Sequence, residues 1–377
     1  MNFRGFRIFR IGEIEIIIDY SWFIVFFLVV YSMAELYFPR VQVEDYSTPQ
    51  YWIMGTVAAV LLFISILIHE LAHSFVAIRH GIKVASIRLF IFGGLAQVTS
   101  EPKSGRQEFL IALAGPASSI ALGAFFLLVY LFAVLQGSGL VAGVAFWLGM
   151  ANILLAFFNM IPGFPLDGGR ILRAFLWDHW NDMGRATKVV SHVGNAFALF
   201  LIIFGILQFL LTQSLISGLW MVLIGIFMKQ ASTGSYQAVA LKRALSGVEV
   251  RQLMSVNLVK VDWLLPLEQL VNEYIYKHGF TAFPVFNRDE FAGMVSLEGV
   301  KTVSRELWGF KQVRDIMDPV ERVPSLKPTD DAGEALDRMM AGEISLMPVI
   351  ENDHLLGIIS RQDIINHFRI KSDLGTA

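Results

Sequence analysis

The chain alternates long uncharged apolar runs with short charged connectors. Tyr20 to Ala34, Ser47 to Ile68, Phe109 to Leu166 and Val189 to Met228 contain no Asp, Glu, Lys or Arg. Gln136-Gly137-Ser138-Gly139 breaks the third run and Thr212-Gln213-Ser214 the fourth. Six apolar segments result, each near the roughly 20 residues that a helix needs to cross a bilayer. Leu36 to Gln50 reads as a polar loop, and Tyr51 to about Arg79 as the second helix. Two stretches have another rhythm. Phe6 to Ile18 alternates loosely and predicts a short strand at the membrane edge. Val84, Ile87, Leu89 and Ile91 predict β structure within Ile82 to Ser100, with a sharp turn at Gly93-Gly94. Such a piece is too short to span, and non-helical backbone at membrane depth must be shielded by protein or line a wet cavity.

Composition agrees with the pattern. Of 377 residues, 55% are hydrophobic and 16% charged, and the mean hydropathy is +0.58, too apolar for an ordinary soluble domain. A net charge of −2 offers nothing to nucleic acid. The absence of Cys excludes disulfides, thiolate metal sites and Cys nucleophiles. Arg4, Arg7 and Arg10 precede an apolar segment as in a secretory signal, but Glu13, Glu15 and Asp19 interrupt the approach, so Tyr20 opens an uncleaved span. Cations crowd alternate connectors: Arg79, Lys83, Arg88, Lys103 and Arg106, then Arg170, Arg173, Arg185 and Lys188, then Lys229, Lys242 and Arg243, against Arg40 alone on the other side. The positive-inside rule therefore puts both termini in the cytoplasm of a multi-pass cell-membrane protein. Trp177 and Trp180 beside Arg170 and Arg173 mark an interfacial stretch.

Beyond Lys229 the composition turns soluble, and a unit repeats. Val250-Arg251-Gln252-Leu253-Met254 returns as Val313-Arg314-Asp315-Ile316-Met317, Phe283-Pro284-Val285 as Met347-Pro348-Val349, and Gly293-Met294-Val295-Ser296 as Gly357-Ile358-Ile359-Ser360. Helical patterns at Leu267 to His278 and Ala332 to Ala341 alternate with short β runs, which predicts two small α/β units packed as one module. The expected divisions are 1–236 for the membrane domain, 237–249 for a linker, 250–308 and 309–370 for the two units, and 371–377 for a tail.

Ionisable residues inside a membrane are expensive and mark function. Beside the charge-free runs they are few: His69, Glu70, His73, Asp167 and His192. His69 and His73 are spaced i, i+4, so on a helix both imidazoles project from one face and can share a Zn²⁺. Glu70 lies beside them as a base for water. A catalytic zinc needs a third protein ligand. Asp167 follows the helix-breaking Pro162 and Pro165 and precedes Gly168-Gly169, so a carboxylate there can approach from the opposite side. An N-cap role for Asp167 is the alternative. His192, alone in an apolar run, is a rival ligand or a core histidine.

These residues carry a resemblance. His69-Glu70-x-x-His73 on an early helix, with Pro165-Leu166-Asp167-Gly168-Gly169 on a later one, resembles the site-2 protease family of intramembrane zinc metalloproteases, peptidase family M50. The resemblance covers roughly the first 230 residues. It implies that His69, His73 and Asp167 bind one Zn²⁺ per chain, that Glu70 is the general base, and that Asn159 holds the substrate backbone or the oxyanion. Gly115-Pro116-Ala117-Ser118-Ser119 is similar to the family's Gly-x-x-x-(Asn/Ser/Gly) segment, which gives Ser119 a substrate or oxyanion role; close helix packing is the alternative. The C-terminal repeat resembles a pair of CBS domains, modules that often bind adenine nucleotides. Gly357-Ile358-Ile359-Ser360-Arg361-Gln362-Asp363 matches the pattern in which Ser360 and Asp363 contact ATP or AMP, whereas Gly299 replaces the Asp in the first copy.

The expected fold is therefore a polytopic α-helical membrane protein with six transmembrane helices, a small membrane-associated β-hairpin or sheet, and a soluble α/β CBS pair. The expected activity is hydrolysis of peptide bonds within or near transmembrane segments of membrane-protein substrates, with adenine-nucleotide regulation and a homodimer formed through the CBS pair. The Ile82 to Ser100 hairpin would receive the unwound substrate by edge pairing. Two rivals are a CBS-gated membrane transporter or channel and a catalytically inactive scaffold.

Overall fold

The computed structural model describes residues 5–41, 45–91, 93–98, 100–212, 215–342 and 344–374. The chain forms two compact units, Met1–Gln237 and Ala238–Ala377.

The first unit is a helix bundle carrying a four-stranded sheet. A hairpin, β1 (Gly5–Ile11) and β2 (Ile14–Asp19), opens the chain. Asp19 then caps α1 (Tyr20–Tyr31): its Oδ1 accepts from the Ser21 N–H at 2.9 Å. A π-helical stretch, Ser32–Tyr37, continues α1 into α2 (Phe38–Val41). The first helix thus runs past its charge-free core, through Glu35 and Arg40. Glu35 accepts the Trp52 indole N–H at 2.8 Å.

Long helices follow: α3 (Thr48–Arg79), α4 (Gly105–Leu135) and α5 (Gly139–Asn159), then the short α6 (Asp167–Trp180), and then α7 (Met183–Thr212) and α8 (Leu215–Leu245). Local chemistry sets the ends. Ser47 and Gln50 form a capping box at the start of α3, Ser104 caps α4, and Gly137, at φ +68°, makes the turn between α4 and α5. Leu131, Phe132 and Leu135 of α4 and Leu207, Leu210 and Leu211 of α7 face outward, as an apolar solvent requires and water would oppose.

Among the described residues five helices are long and apolar enough to cross a membrane: Tyr20–Val41, Thr48–Arg79, Gly105–Leu135, Gly139–Asn159 and Met183–Thr212. The sixth expected span falls on α8, whose apolar part ends at Met228; Lys229, Gln230, Ser232 and Thr233 follow within the same helix. That helix also runs on to Leu245 through most of the expected 237–249 linker, carried by Ala238, Ala240, Leu241 and Ala244, good helix formers. Arg4, residues 42–44 of the expected loop, Gln213 and Ser214 of the expected break, and the last three tail positions lie outside the described residues.

The sheet runs β1-β2-β3-β4, with β3 (Val84–Phe90) and β4 (Gly93–Val98) as its second hairpin. The outer pairs are antiparallel, and β2 joins β3 in parallel. Ile14, Ile16 and Ile18 alternate into a core with Ile87, Leu89, Ala77 of α3 and Ile111 of α4. The hairpin matches the β reading of this stretch, but its turn does not. Phe90 pairs with Gly93, so Gly93 and Gly94 lie in β4. The reason for Gly94 is proximity: a Cβ there would lie 2.3 Å from Glu70 Cγ.

The second unit shows the repeat in space. Val250–Gln252 and Val313–Asp315 are both 3₁₀ turns. One copy supplies β5 (Val261–Asp262), a helical run of α9 (Leu267–Gln269), π-helical Leu270–Ile275 and α10 (Tyr276–His278), the hairpin β6 (Ala282–Asn287) and β7 (Glu290–Ser296), and α11 (Leu297–Lys301). β8 (Asp318–Pro319) completes that sheet, ordered β5-β6-β7-β8. The other copy supplies α12 (Ala332–Ala341), the hairpin β9 (Leu346–Glu351) and β10 (His354–Ser360), and α13 (Arg361–Asp373). Each copy has its own core, one around Phe283, Val285 and Val295, the other around Met347, Val349 and Ile359.

Candidate metal centre

Helix α3 carries the His-Glu-x-x-His motif in its last turns, and its i, i+4 spacing sets the two imidazoles edge to face, with ring centroids 4.8 Å apart. Asp167 is the first residue of α6, a position where a helix favours a carboxylate. The break before α6 is built by close backbone contact. A Cβ on Gly168 would lie 2.2 Å from the Met160 carbonyl oxygen, and one on Gly169 would lie 2.5 Å from the Gly163 carbonyl carbon. No larger residue fits there without moving backbone, so the loop folds back and delivers Asp167 to the histidines.

The three side chains converge. Asp167 Oδ2 lies 3.2 Å from His69 Nε2 and 3.1 Å from His73 Nε2, and the two Nε2 atoms are 3.2 Å apart. All three residues are buried. Each imidazole is held from behind. His73 Nδ1 is 2.6 Å from the Ile111 carbonyl oxygen, which only accepts, so Nδ1 carries the proton and Nε2 presents its lone pair. His69 Nδ1 is 2.9 Å from Ser119 Oγ, a hydroxyl able to accept its proton and so free its Nε2 in the same way. Two nitrogen lone pairs and a carboxylate oxygen then share one small space, an arrangement that repels itself unless a cation sits among them. Nitrogen and oxygen donors around a tetrahedral zinc are spaced about 3.3 Å apart, so the donor set fits zinc. His69, His73 and Asp167 are the one such group of His, Asp and Glu among the described residues. Gly115 makes the room: a Cβ there would lie 2.2 Å from His73 Nε2 and 2.6 Å from His69 Nε2.

A cavity of about 560 Å³ opens on this group. Glu70, Asn159, Asp167 and Arg170 contribute its polar wall, and Gly93, Gly94 and Leu95 of β4 line the side next to Glu70. Arg170 Nη1 stands 4.0 Å from Asp167 Oδ1, the oxygen turned away from the histidines. Asn159, the last residue of α5, therefore shares a cavity with Glu70 and the ligands. Ser119 does not line it; its side chain is fully buried behind His69. His192 stands apart from the group, exposed on α7, with Nδ1 2.6 Å from the Lys188 carbonyl oxygen. Its place in a charge-free run reflects a helix turning it outward. In the second unit, Ser360 caps α13: Asp363 Oδ2 accepts from the Ser360 N–H at 2.9 Å and its hydroxyl at 2.6 Å, and Ser360 Oγ accepts from the Asp363 N–H at 3.1 Å.

Sequence reasoning missed Gly94 as the neighbour of Glu70, and it missed Glu108. In the sequence Glu108 stands one position before the charge-free run that opens at Phe109. In the structure it is wholly buried and paired with Arg173. Its place in the polar first turn of α4, after Arg106 and Gln107, gave no signal of burial.

Comparison with known proteins gives the family. The model of peptidase family M50 matches residues 57–142 and 133–201, and the CBS domain model matches 313–370. Rip3 of Mycobacterium tuberculosis, a zinc metalloprotease by its assigned name, is 33% identical over 358 residues, covering 94% of this chain and 90% of the relative. The chain belongs to peptidase family M50. Another relative is zinc metalloprotease MJ0392 of Methanocaldococcus jannaschii, 28% identical across 98% of this chain and 97% of that one. Among solved structures, the site-2 protease from the same archaeon is similar over 62% of this chain and 95% of its own, with 29% identity and a TM-score of 0.44. The CBS domain of a bacterial CNNM/CorC family Mg²⁺ transporter in complex with ATP covers 35% of this chain and 94% of its own, at 19% identity and a TM-score of 0.31. This M50 peptidase is thus a multi-pass membrane zinc metalloprotease of the site-2 protease family with a C-terminal CBS domain.

Proposed function

We propose that this protease cleaves peptide bonds within or beside the membrane-spanning helices of other membrane proteins, with His69, His73 and Asp167 holding zinc and Glu70 acting as general base. One observation carries the reading: three buried acceptor atoms stand 3.1–3.2 Å apart, with the far nitrogen of each imidazole engaged elsewhere. Zinc bound there supplies Lewis-acid polarisation of the scissile carbonyl and makes water a stronger acid. Glu70, on the cavity wall beside the ligands, takes the proton of the attacking water and returns it to the leaving amine nitrogen. The Asn159 amide, on the same wall, donates to the oxygen that gains charge.

A helical substrate hides its carbonyls in internal hydrogen bonds and must unwind before attack. Strand β4 ends the sheet order, so its outer edge is open to an added strand, and Gly94 sets that edge against Glu70. An unwound segment pairing there brings a peptide bond next to the base. The cation-rich connectors orient the catalytic end of α3 and the C-terminal module toward the cytoplasm, from which water enters. In the same proposal the CBS pair associates two chains and takes ATP or AMP at Ser360 and Asp363, tuning access to the centre.

Reconstitution with a membrane-tethered substrate tests the core of this reading. Wild-type protein is expected to carry one zinc per chain and to cleave. Glu70→Gln is expected to keep the zinc and lose about 10²–10⁴-fold in rate. Full cleavage by Glu70→Gln, or wild-type protein without stoichiometric zinc, overturns it.

A further inference from the structure

Four residues of α4, Glu108, Ile111, Gly115 and Ser119, recur at steps of three and four and so share one helix face. Three of them meet the histidines. The Ile111 carbonyl holds His73, Ser119 holds His69, and Gly115 leaves room for both rings. Glu108 touches neither. Its carboxylate is wholly buried and takes Arg173 side-on, with Arg173 Nε 2.8 Å from Oε1 and 3.0 Å from Oε2, and Arg173 Nη2 also on Oε1.

Arg173 stands on α6, six positions after Asp167. Its guanidinium also lies over the Phe164 ring, 5.1 Å from the centroid, and Phe164 belongs to the loop that leads into Asp167. One side chain therefore grips the segment on both sides of the carboxylate. The crossing is tight: a Cβ on Gly105 would lie 2.5 Å from the Ala174 carbonyl oxygen and 2.4 Å from Asp178 Oδ1. For packing alone, an apolar pair would serve as well as a buried charged one, because desolvation offsets much of the attraction. A planar guanidinium on a carboxylate adds direction instead: it fixes how α6 is rotated against α4.

We infer that the Glu108–Arg173 pair is a positioning device for the metal centre, setting the angle at which α6 presents Asp167 to His69 and His73. The inference rests on the reading of those three residues as zinc ligands. By it, α4 is the frame of the whole centre: the face that holds both imidazoles also aims the carboxylate. Neither Glu108 nor Arg173 contacts the metal or the substrate, and both act through Asp167.

The test uses the full-length chain in detergent, stripped of metal and titrated with Zn²⁺ against a competing chelator, then loaded with Co²⁺ for its visible absorption. Arg173→Lys keeps the charge and loses the fork. It is expected to weaken zinc by about 10–100-fold, the range seen for outer partners of metal ligands, and to shift the Co²⁺ d–d bands while the metal-free protein melts near wild type. A neutral double variant, Glu108→Gln with Arg173→Gln, is expected to do the same and provides the measurement should the lysine variant not fold. Wild-type zinc affinity and an unchanged Co²⁺ spectrum in a folded variant, even one with a lowered Tm, reduce the pair to packing and overturn the inference while the metal site stands. Wild-type protein that takes up no stoichiometric zinc overturns the metal site itself.

Discussion

The His69–His73–Asp167 group and the Ser360–Asp363 pair were both marked by short motifs, and the structure gives them opposite character. In the first, two imidazole nitrogens and a carboxylate oxygen converge to within 3.2 Å of one another, while the far nitrogen of each ring is engaged from behind. In the second, one carboxylate oxygen and the hydroxyl bond each other and the amides of Ser360 and Asp363, closing a reciprocal cap at the start of α13. A motif whose polar atoms close on themselves has a complete structural role without a ligand. One whose polar atoms converge and repel is incomplete until a cation arrives. That difference ranks the two sites more firmly than motif specificity does.

Removing Asp167 breaks the comparison at its strongest point. Asp167→Ala leaves two imidazoles and an open wall, fewer than the three protein ligands a catalytic zinc requires. Zinc affinity should fall by more than about 100-fold, beyond what outer partners command, and cleavage should disappear. Chelator competition measures the first and a tethered-substrate assay the second. Zinc held as tightly as in wild type would move the third ligand elsewhere.

Two glycines sharpen the picture inside the same cavity. Gly115→Ala drives a methyl group to within 2.2 Å of His73 Nε2, an atom that cannot retreat because Nδ1 is held on Ile111. The expected result is a loss of zinc affinity of about tenfold or more. Gly94→Ala instead meets Glu70 Cγ at 2.3 Å. A glutamate side chain can yield, so the zinc should stay and kcat alone should fall, by roughly tenfold, less than the about 10²–10⁴-fold that losing a general base costs. The two variants separate holding the metal from moving the proton. Equal zinc loss in both would erase that separation.

The centre was largely legible in the sequence because membrane burial makes polar residues rare, and rarity singled out His69, Glu70, His73 and Asp167. The repeat was legible because its turns and hairpins recur in the same order. What remained hidden depended on contacts far apart in sequence. Gly94 read as a turn because local pattern cannot show that α3 passes beneath β4. Ser119 read as a substrate contact, whereas its side chain sits behind His69. Arg173 counted as a loop cation, although its partner lies 65 positions earlier. The six-span count came from apolar run length, whereas five helices among the described residues are long and apolar enough to cross a membrane, and the apolar part of α8 stops at Met228.

The smallest expected effect concerns the second site, and it decides whether the cap is all there is. The first copy supplies an internal control: Ser296 Oγ accepts from the Gly299 N–H at 3.2 Å, and Gly299 has no side chain to reach back. Asp363→Gly converts the second copy to that state and should cost about 1 kcal/mol through the lost box, read as a small fall in Tm. That fall follows from capping alone and carries no information about ligands. The ligand reading adds one further outcome. Millimolar ATP or AMP should raise the Tm of the wild-type chain by mass action on the folded form, and Asp363→Gly should lose that rise. A wild-type Tm indifferent to nucleotide would leave Ser360 and Asp363 as a helix cap and return regulation to whatever else the module touches.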